Sequence, residues 1–258
     1  MYAEFKNHII ELLQKDIRLD KRKSTEYRKP IKVEYGISKS AEGSAKVTIG
    51  ETIVMTGVKL SIGEPYPDTP DEGCLVVGAE LLPLSNPEFE LGPPGIQAIE
   101  TARIVDRGIR ESKALDMKKL CLEPGEKVWV ITIDVCPIND AGNLFDAAAL
   151  SALAALKDTK LPKLEDKYII NYKEKTNKSL PFNKEPVSVT VLKIGDNFIV
   201  DPTTEEEKVY DARLTVATTE KDELCAIQKG GEEPLTVEEI QLMTDLAVEK
   251  TKELRKAL

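Results

Sequence analysis

The chain has 258 residues, a formal net charge of -9, 41% hydrophobic residues and 31% charged ones. That length allows one large domain or two small ones, with a core that needs no disulfide or metal support. The acidic total argues against a dedicated nucleic-acid coat. The apolar runs are too short for a membrane span, and the single histidine, His8, leaves no histidine triad or multi-histidine metal site.

In chain order, Phe5, Ile9, Leu12 and Leu13 fall at helical spacing over residues 4–15. This segment lacks the basic head and apolar middle of a secretory signal, so a cytoplasmic protein is expected. Residues 15–32 then hold eight Lys or Arg against three acids. They read either as a solvated connection or as a local basic path. Strands are predicted at 31–38, 45–50, 52–60 and 74–82, rich in β-branched residues and alternating. Between the last two, "GEPYPDTPDEG" is a loop, because its prolines forbid regular pairing.

After the proline-rich break at 86–95, residues 97–114 read as a helix containing Arg103, Arg107 and Arg110. At about 100° per residue, Arg107 and Arg110 lie roughly +40° and -20° from Arg103, so the three share one narrow stripe. Ile104, Val105, Gly108, Ile109 and Leu115 fall opposite and would dock on a sheet. The stripe has two readings. Glu100–Arg103, Asp106–Arg110 and Arg107–Glu111 have the spacing of helical ion pairs, each worth only about 0.2–0.5 kcal/mol. Yet the chain otherwise solvates itself with 28 lysines. Gathering arginine here favours planar, bidentate contact with phosphate or carboxylate.

A strand at 127–138 and an alanine-rich helix at 143–158 close the first half. Residues 162–186, lysine-rich and weakly periodic, read as a linker. The second half opens with 187–201, where Gly195-Asp196-Asn197 signals a hairpin, continues with strands at 212–219 and 224–230, and ends in a helix from Thr236 with a Thr236/Glu239 capping box. "KVTIGETIVMTG" and "VLKIGDNFIVDP" share a faint repeat, which suggests two related α/β units. The expected organisation is an N-terminal helix and basic entry segment at 1–30 and domains at 31–161 and 186–257. Cys74, Cys121, Cys136 and Cys225 form no C-x-x-C pair and are expected to be small buried residues.

Several long segments together carry a resemblance: "GEPYPDTPDEG", "GPPGIQAIETARIVDRGIRESKALD", "GEKVWVITIDV", "NDAGNLFDAAALSALAALKDTKLP", "DPTTEEEKVYDARLTV" and "AIQKGG". They resemble the archaeal exosome core subunits of the RNase PH superfamily, and among these the non-catalytic ring subunit. "RLDKRKSTEYR" is similar to that superfamily's entry motif, with Lys21 where glycine is usual. The resemblance implies an RNase PH-like α/β (α+β) fold of two duplicated βαβα-type units (ribosomal protein S5 domain 2-like) behind an N-terminal helix. It implies a hetero-hexameric ring, a trimer of heterodimers with a catalytic RNase PH-like subunit, met by RNA-binding cap proteins and threaded by single-stranded RNA, with no membrane. Such a ring shortens RNA from its 3′ end using inorganic phosphate and releases nucleoside diphosphates.

The same resemblance bears on individual residues. Catalytic members hold phosphate with a Gly-Ser/Thr-Arg segment at a helix start. Here Gly142 is kept, but Asn143 and Leu144 replace the hydroxyl and the arginine. Asp146 would add a repelling charge in the first turn. Asp201, Glu206 and Glu207 stand near positions where catalytic relatives carry acid or metal-holding carboxylates, and equally read as a turn and an exposed acidic run. The expectation is therefore a chain with no catalytic residue, cofactor or metal of its own. Phosphate, and any divalent ion, belong to the partner's site, and Arg103, Arg107 and Arg110 bind RNA there. Two alternatives stand beside it: a chain that is itself a phosphorolytic 3′-5′ exoribonuclease, and a scaffold whose arginines only form ion pairs.

Overall fold

The computed structural model describes residues 2–258. In chain order the elements are α1 (Tyr2–Leu13), β1 (Ile31–Tyr35), β2 (Gly43–Ile49), β3 (Thr52–Gly63), β4 (Cys74–Ala79), α2 (Ile96–Glu111), β5 (Cys121–Glu123), β6 (Lys127–Asn139) and α3 (Leu144–Asp158). There follow β7 (Lys160–Asp166), β8 (Ile169–Ser179), β9 (Val187–Ile194), β10 (Asn197–Val200), α4 (Thr204–Glu207), β11 (Ala212–Thr218), β12 (Leu224–Gly230) and α5 (Val237–Arg255).

The first sheet runs β1-β2-β3-β6-β4, antiparallel except where β4 lies parallel to β6, and the second runs β10-β9-β11-β12. Helix α3 packs on β2 and β3 on one side and on β9 on the other, so it lies between the sheets. This explains its composition. Eleven of its 15 residues are buried, including Ala147, Ala148, Ala152, Ala154 and Ala155, which let both sheets approach closely. Leu150, Leu153 and Leu156 fill the gaps, each contributing about 2 kcal/mol by leaving water.

Helix α2 also bridges the halves. A Cβ on Gly108 would sit 3.4 Å from the Ser188 hydroxyl of β9 and 3.9 Å from Ala217 of β11. The opposite face of β9 belongs to α5, where Lys193 pairs with Glu239. The closing helix carries the expected box, with Glu239 N–H donating to Thr236 Oγ1 at 3.2 Å and Thr236 N–H to Glu239 Oε2 at 2.9 Å.

The two halves share the predicted turn. Gly50 and Gly195, both at φ 59°, open two-residue connections between β2 and β3 and between β9 and β10. The third strand then adds beside β3 in one sheet and beside β9 in the other, so the twelve-residue likeness is that of the turn.

Three expectations need correction. The segment at 162–186 lies between the halves, as expected of a linker, but it is folded. Its larger part forms the β7–β8 hairpin, whose faces are mostly wet, so no apolar alternation marks it. Of the cysteines only Cys74 is buried, while Cys121, Cys136 and Cys225 are half-buried. The basic entry segment is solvated through its lysines, while its three arginines turn inward, as their contacts show next.

Candidate functional site

All three arginines of the predicted stripe are exposed on α2, and Ile104, Val105, Gly108 and Ile109 are buried opposite them. The docked face holds the helix in place and presents the stripe outward. The arginines differ in their partners. Arg107 pairs with Glu111 at 2.5 Å, both about half exposed, and Arg110 pairs with Asp106 at 2.7 Å while also donating to Leu75 O at 3.2 Å. Such exposed pairs are weak and can exchange for another anion. The expected Glu100–Arg103 pair does not form. Glu100 turns instead to Arg213 of β11, a buried guanidinium that draws the carboxylate inward. Arg103 is left with no hydrogen bond or ion pair to any described residue.

The three arginines of the basic entry segment are turned inward. The Arg18 guanidinium is fully buried. It bridges both Glu206 oxygens and donates to Val200 O at 2.8 Å and Asp201 O at 2.9 Å. Arg22 and Arg28 converge on the Asp201 carboxylate at 3.0 and 2.8 Å. Arg28 N–H and Asn143 Nδ2 donate to the same carboxylate at 2.6 and 2.9 Å. Asp201 itself sits at φ 51° with its side chain wholly buried. Here arginine fits because one planar fork satisfies several buried acceptors at once. No local pattern signals this, since Arg18 and Glu206 lie 188 positions apart.

The same contacts account for two of the three carboxylates Asp201, Glu206 and Glu207. Asp201 is saturated with donors, and Glu206 is held by Arg18 and by the capping box of α4. Glu207 goes to the start of α3, where its Oε1 accepts from Asn143 N–H at 2.8 Å. Burial pushes the Glu207 carboxyl up to about 8, against the pull of that N–H and of Arg28 and Arg213.

The start of α3 also differs from expectation. Leu144 points into the core. Asp146 projects no charge from the helix end, because it is wholly buried beneath Tyr27, whose hydroxyl donates to Asp146 Oδ2 at 3.2 Å. Burial raises the Asp146 carboxyl to about 7. The acidic group at the helix mouth is Glu207, which comes from another part of the chain.

A pH dependence follows. Asp146 keeps a proton in the folded chain that the unfolded chain releases between about pH 4 and about pH 7, so stability falls as pH rises through that window and levels above it. Asp146→Asn never ionises and preserves an acceptor for Tyr27. Relative to wild type it is expected to lose a slope approaching 1.4 kcal/mol per pH unit, roughly, in urea unfolding between about pH 4 and about pH 7. Parallel curves for the two chains would show that Asp146 carries no such proton.

Comparison with known proteins adds the following. Residues 27–162 match the 3′ exoribonuclease family, domain 1, and residues 184–250 match domain 2 of that family. The chain is 44% identical to the exosome complex component Rrp42 of Thermococcus kodakarensis, over 99% of this chain and 94% of that protein. It is 46% identical to Rrp42 of Methanocella arvoryzae, over 99% and 96%. Among solved structures it is similar to a chain of the Archaeoglobus fulgidus exosome with RNA bound to the active site, at a TM-score of 0.88 and 42% identity, covering 99% of this chain and 98% of that one.

Proposed function

The chain belongs to the 3′ exoribonuclease (RNase PH) family and is a homologue of the exosome component Rrp42, and from that premise we propose that it is the non-catalytic subunit of an archaeal-type exosome ring. In this reading it alternates with a catalytic RNase PH-like subunit in a hetero-hexamer. It lends Arg103, Arg107 and Arg110 to single-stranded RNA running toward the partner's site, where inorganic phosphate attacks the 3′ end. Cap proteins that bind RNA complete the assembly. The chain itself carries no cofactor, and the complex works in the cytoplasm. Among the described residues, no helix is long and apolar enough to cross a membrane.

One observation carries the division of labour. The outward stripe can grip phosphate, while the helix end where a family member would seat orthophosphate is filled by Glu207. Phosphate contacts of this kind give affinity without sequence preference, as a processive nuclease requires. Exposed apolar side chains support the assembly. Leu91 and Ile96 are 79% and 87% exposed before and at the start of α2, and Val237 is 78% exposed at the start of α5.

The test is reconstitution. The purified chain is expected to release no nucleoside diphosphate from RNA with phosphate present. Mixed with a catalytic RNase PH-like paralogue, it is expected to form a particle of hexamer mass that does so. Phosphate-dependent decay by the isolated chain would overturn the proposal.

A further inference from the structure

We infer that the cavity beside Arg110 is a base-stacking subsite for single-stranded RNA, with the Tyr66 ring as its platform. The inference rests on the RNA-positioning reading above and adds a contact with a base to the contacts with phosphate.

The loop at 63–73 builds the platform. Tyr66 stands between Pro65 and Pro67. Each proline fixes its own φ, and Pro67 also confines Tyr66 to extended backbone. A turn follows at once, with Thr69 N–H donating to Tyr66 O at 3.1 Å and Glu72 N–H to Thr69 O at 3.2 Å. Gly73 N–H ties the end of the loop to Met117 O at 2.9 Å. An aromatic side chain held on such a backbone loses little freedom when a ligand reaches it.

The ring is also uncovered. Other exposed tyrosines are engaged: the Tyr35 hydroxyl donates to Leu258 O at 2.9 Å, and the Lys59 ammonium lies 5.0 Å from the Tyr172 ring centre. Tyr66 is 49% exposed. Among the described residues it has no hydrogen-bond partner for its hydroxyl and no cation over its ring. It stands close enough to Arg110 to act on that charge.

Tyr66 lines a cavity of about 570 Å³ between this loop and the end of α2. Leu75, Ile109 and Leu115, all buried, form its floor. Arg110 stands at its edge, donating to Leu75 O at 3.2 Å. The cations Arg110, Lys113 and Lys118 are matched in number by Asp68, Glu72 and Asp116. The cavity therefore makes no net demand for phosphate, unlike the stripe. It offers an apolar floor, an aromatic wall, and donors and acceptors around them. A nucleobase uses all three, since it has a face to stack and polar edges to satisfy. Position selects RNA as the occupant. Arg110 belongs to both the cavity and the stripe, and Arg103 lies about 10 Å back along α2. A strand with its phosphates on the stripe reaches the cavity without leaving the helix.

The experiment measures RNA binding by the reconstituted ring in phosphate-free buffer, by filter binding across a salt series. Tyr66→Ala is expected to weaken binding about 5- to 150-fold at every salt concentration, because stacking on the ring is lost. The slope of log affinity against log salt is expected to stay as in wild type, because no phosphate contact is removed. Tyr66→Phe is expected to bind as wild type does. With the wild-type ring, an oligonucleotide carrying one abasic nucleotide is expected to lose the same factor at one position of a scan, and that position is expected to be silent with Tyr66→Ala. If Tyr66→Ala binds as tightly as wild type, flattens the salt slope, or remains as sensitive as wild type to every abasic position, the inference is overturned. A Tyr66→Ala ring that binds RNA normally but no longer takes up a cap protein would overturn it too, and would assign the cavity to a protein. In each case the RNA-positioning reading stands if Arg103→Glu still weakens binding, and falls as well if Arg103→Glu binds as wild type does.

Discussion

Arg103→Glu lowers the affinity of the reconstituted ring for single-stranded RNA more than the same change at Arg107 or Arg110. The reason is local charge. Arg103 has no partner among the described residues, so its whole charge is available to a phosphate, while Arg107 and Arg110 are each balanced by a carboxylate one turn away. A hydrogen bond involving a charged group is worth about 1.5–3 kcal/mol, which sets the loss for Arg103→Ala at about 10- to 150-fold. Charge reversal adds repulsion to that loss. Deleting a charge together with its neutralising partner, as in Arg107→Ala with Glu111→Ala, leaves net charge unchanged and is expected to cost far less. Each phosphate contact removed should also flatten the slope of log affinity against log salt by about 0.7 for a single strand. Filter binding of a labelled oligonucleotide across a salt series measures both quantities. If the ring carrying all three Glu substitutions assembles and holds RNA as wild type does, the stripe has no part in binding.

Arg18→Ala is expected to be among the most destabilising single substitutions in the chain. The change leaves Glu206, with a side chain 1% exposed, ionised without its partner, and strips donors from Val200 O and Asp201 O. Removing one member of a buried ion pair costs about 3–5 kcal/mol. For a chain of this size that corresponds to a fall in Tm of roughly 6–20 °C. Calorimetric melting of the purified chain reads this directly. Replacing both partners by apolar residues of similar volume, as in Arg18→Met with Glu206→Leu, should recover a large part of the loss, because the cost lies in the uncompensated charge. A drop below about 1 kcal/mol for Arg18→Ala would mean that water reaches Glu206 and that the contact is an ordinary surface pair.

The arginines separate what periodicity can reveal from what it cannot. On α2 the pattern was legible: apolar residues at helical spacing bury one face, and Arg103, Arg107 and Arg110 necessarily emerge on the other. The entry segment offered no such guide. Its eight basic residues look like a solvated run, and three of them close on Asp201 and Glu206 in the second half of the chain. The β7–β8 hairpin is illegible for a related reason, since a strand wet on both faces leaves no alternation to detect.

By itself, the order of residues determined most of the elements, the exposed arginine stripe, the capping of the last helix and the kinship of the chain, because each depends on spacing within a short window. Tertiary structure alone decided which carboxyl stands at the start of α3. Linear order puts Asp146 there, four residues along from Gly142. The fold buries Asp146 under Tyr27 and brings Glu207 across from another unit, 64 positions away. Charge acts through space, and the groups that share a site are chosen by packing, which the linear distance between them does not record.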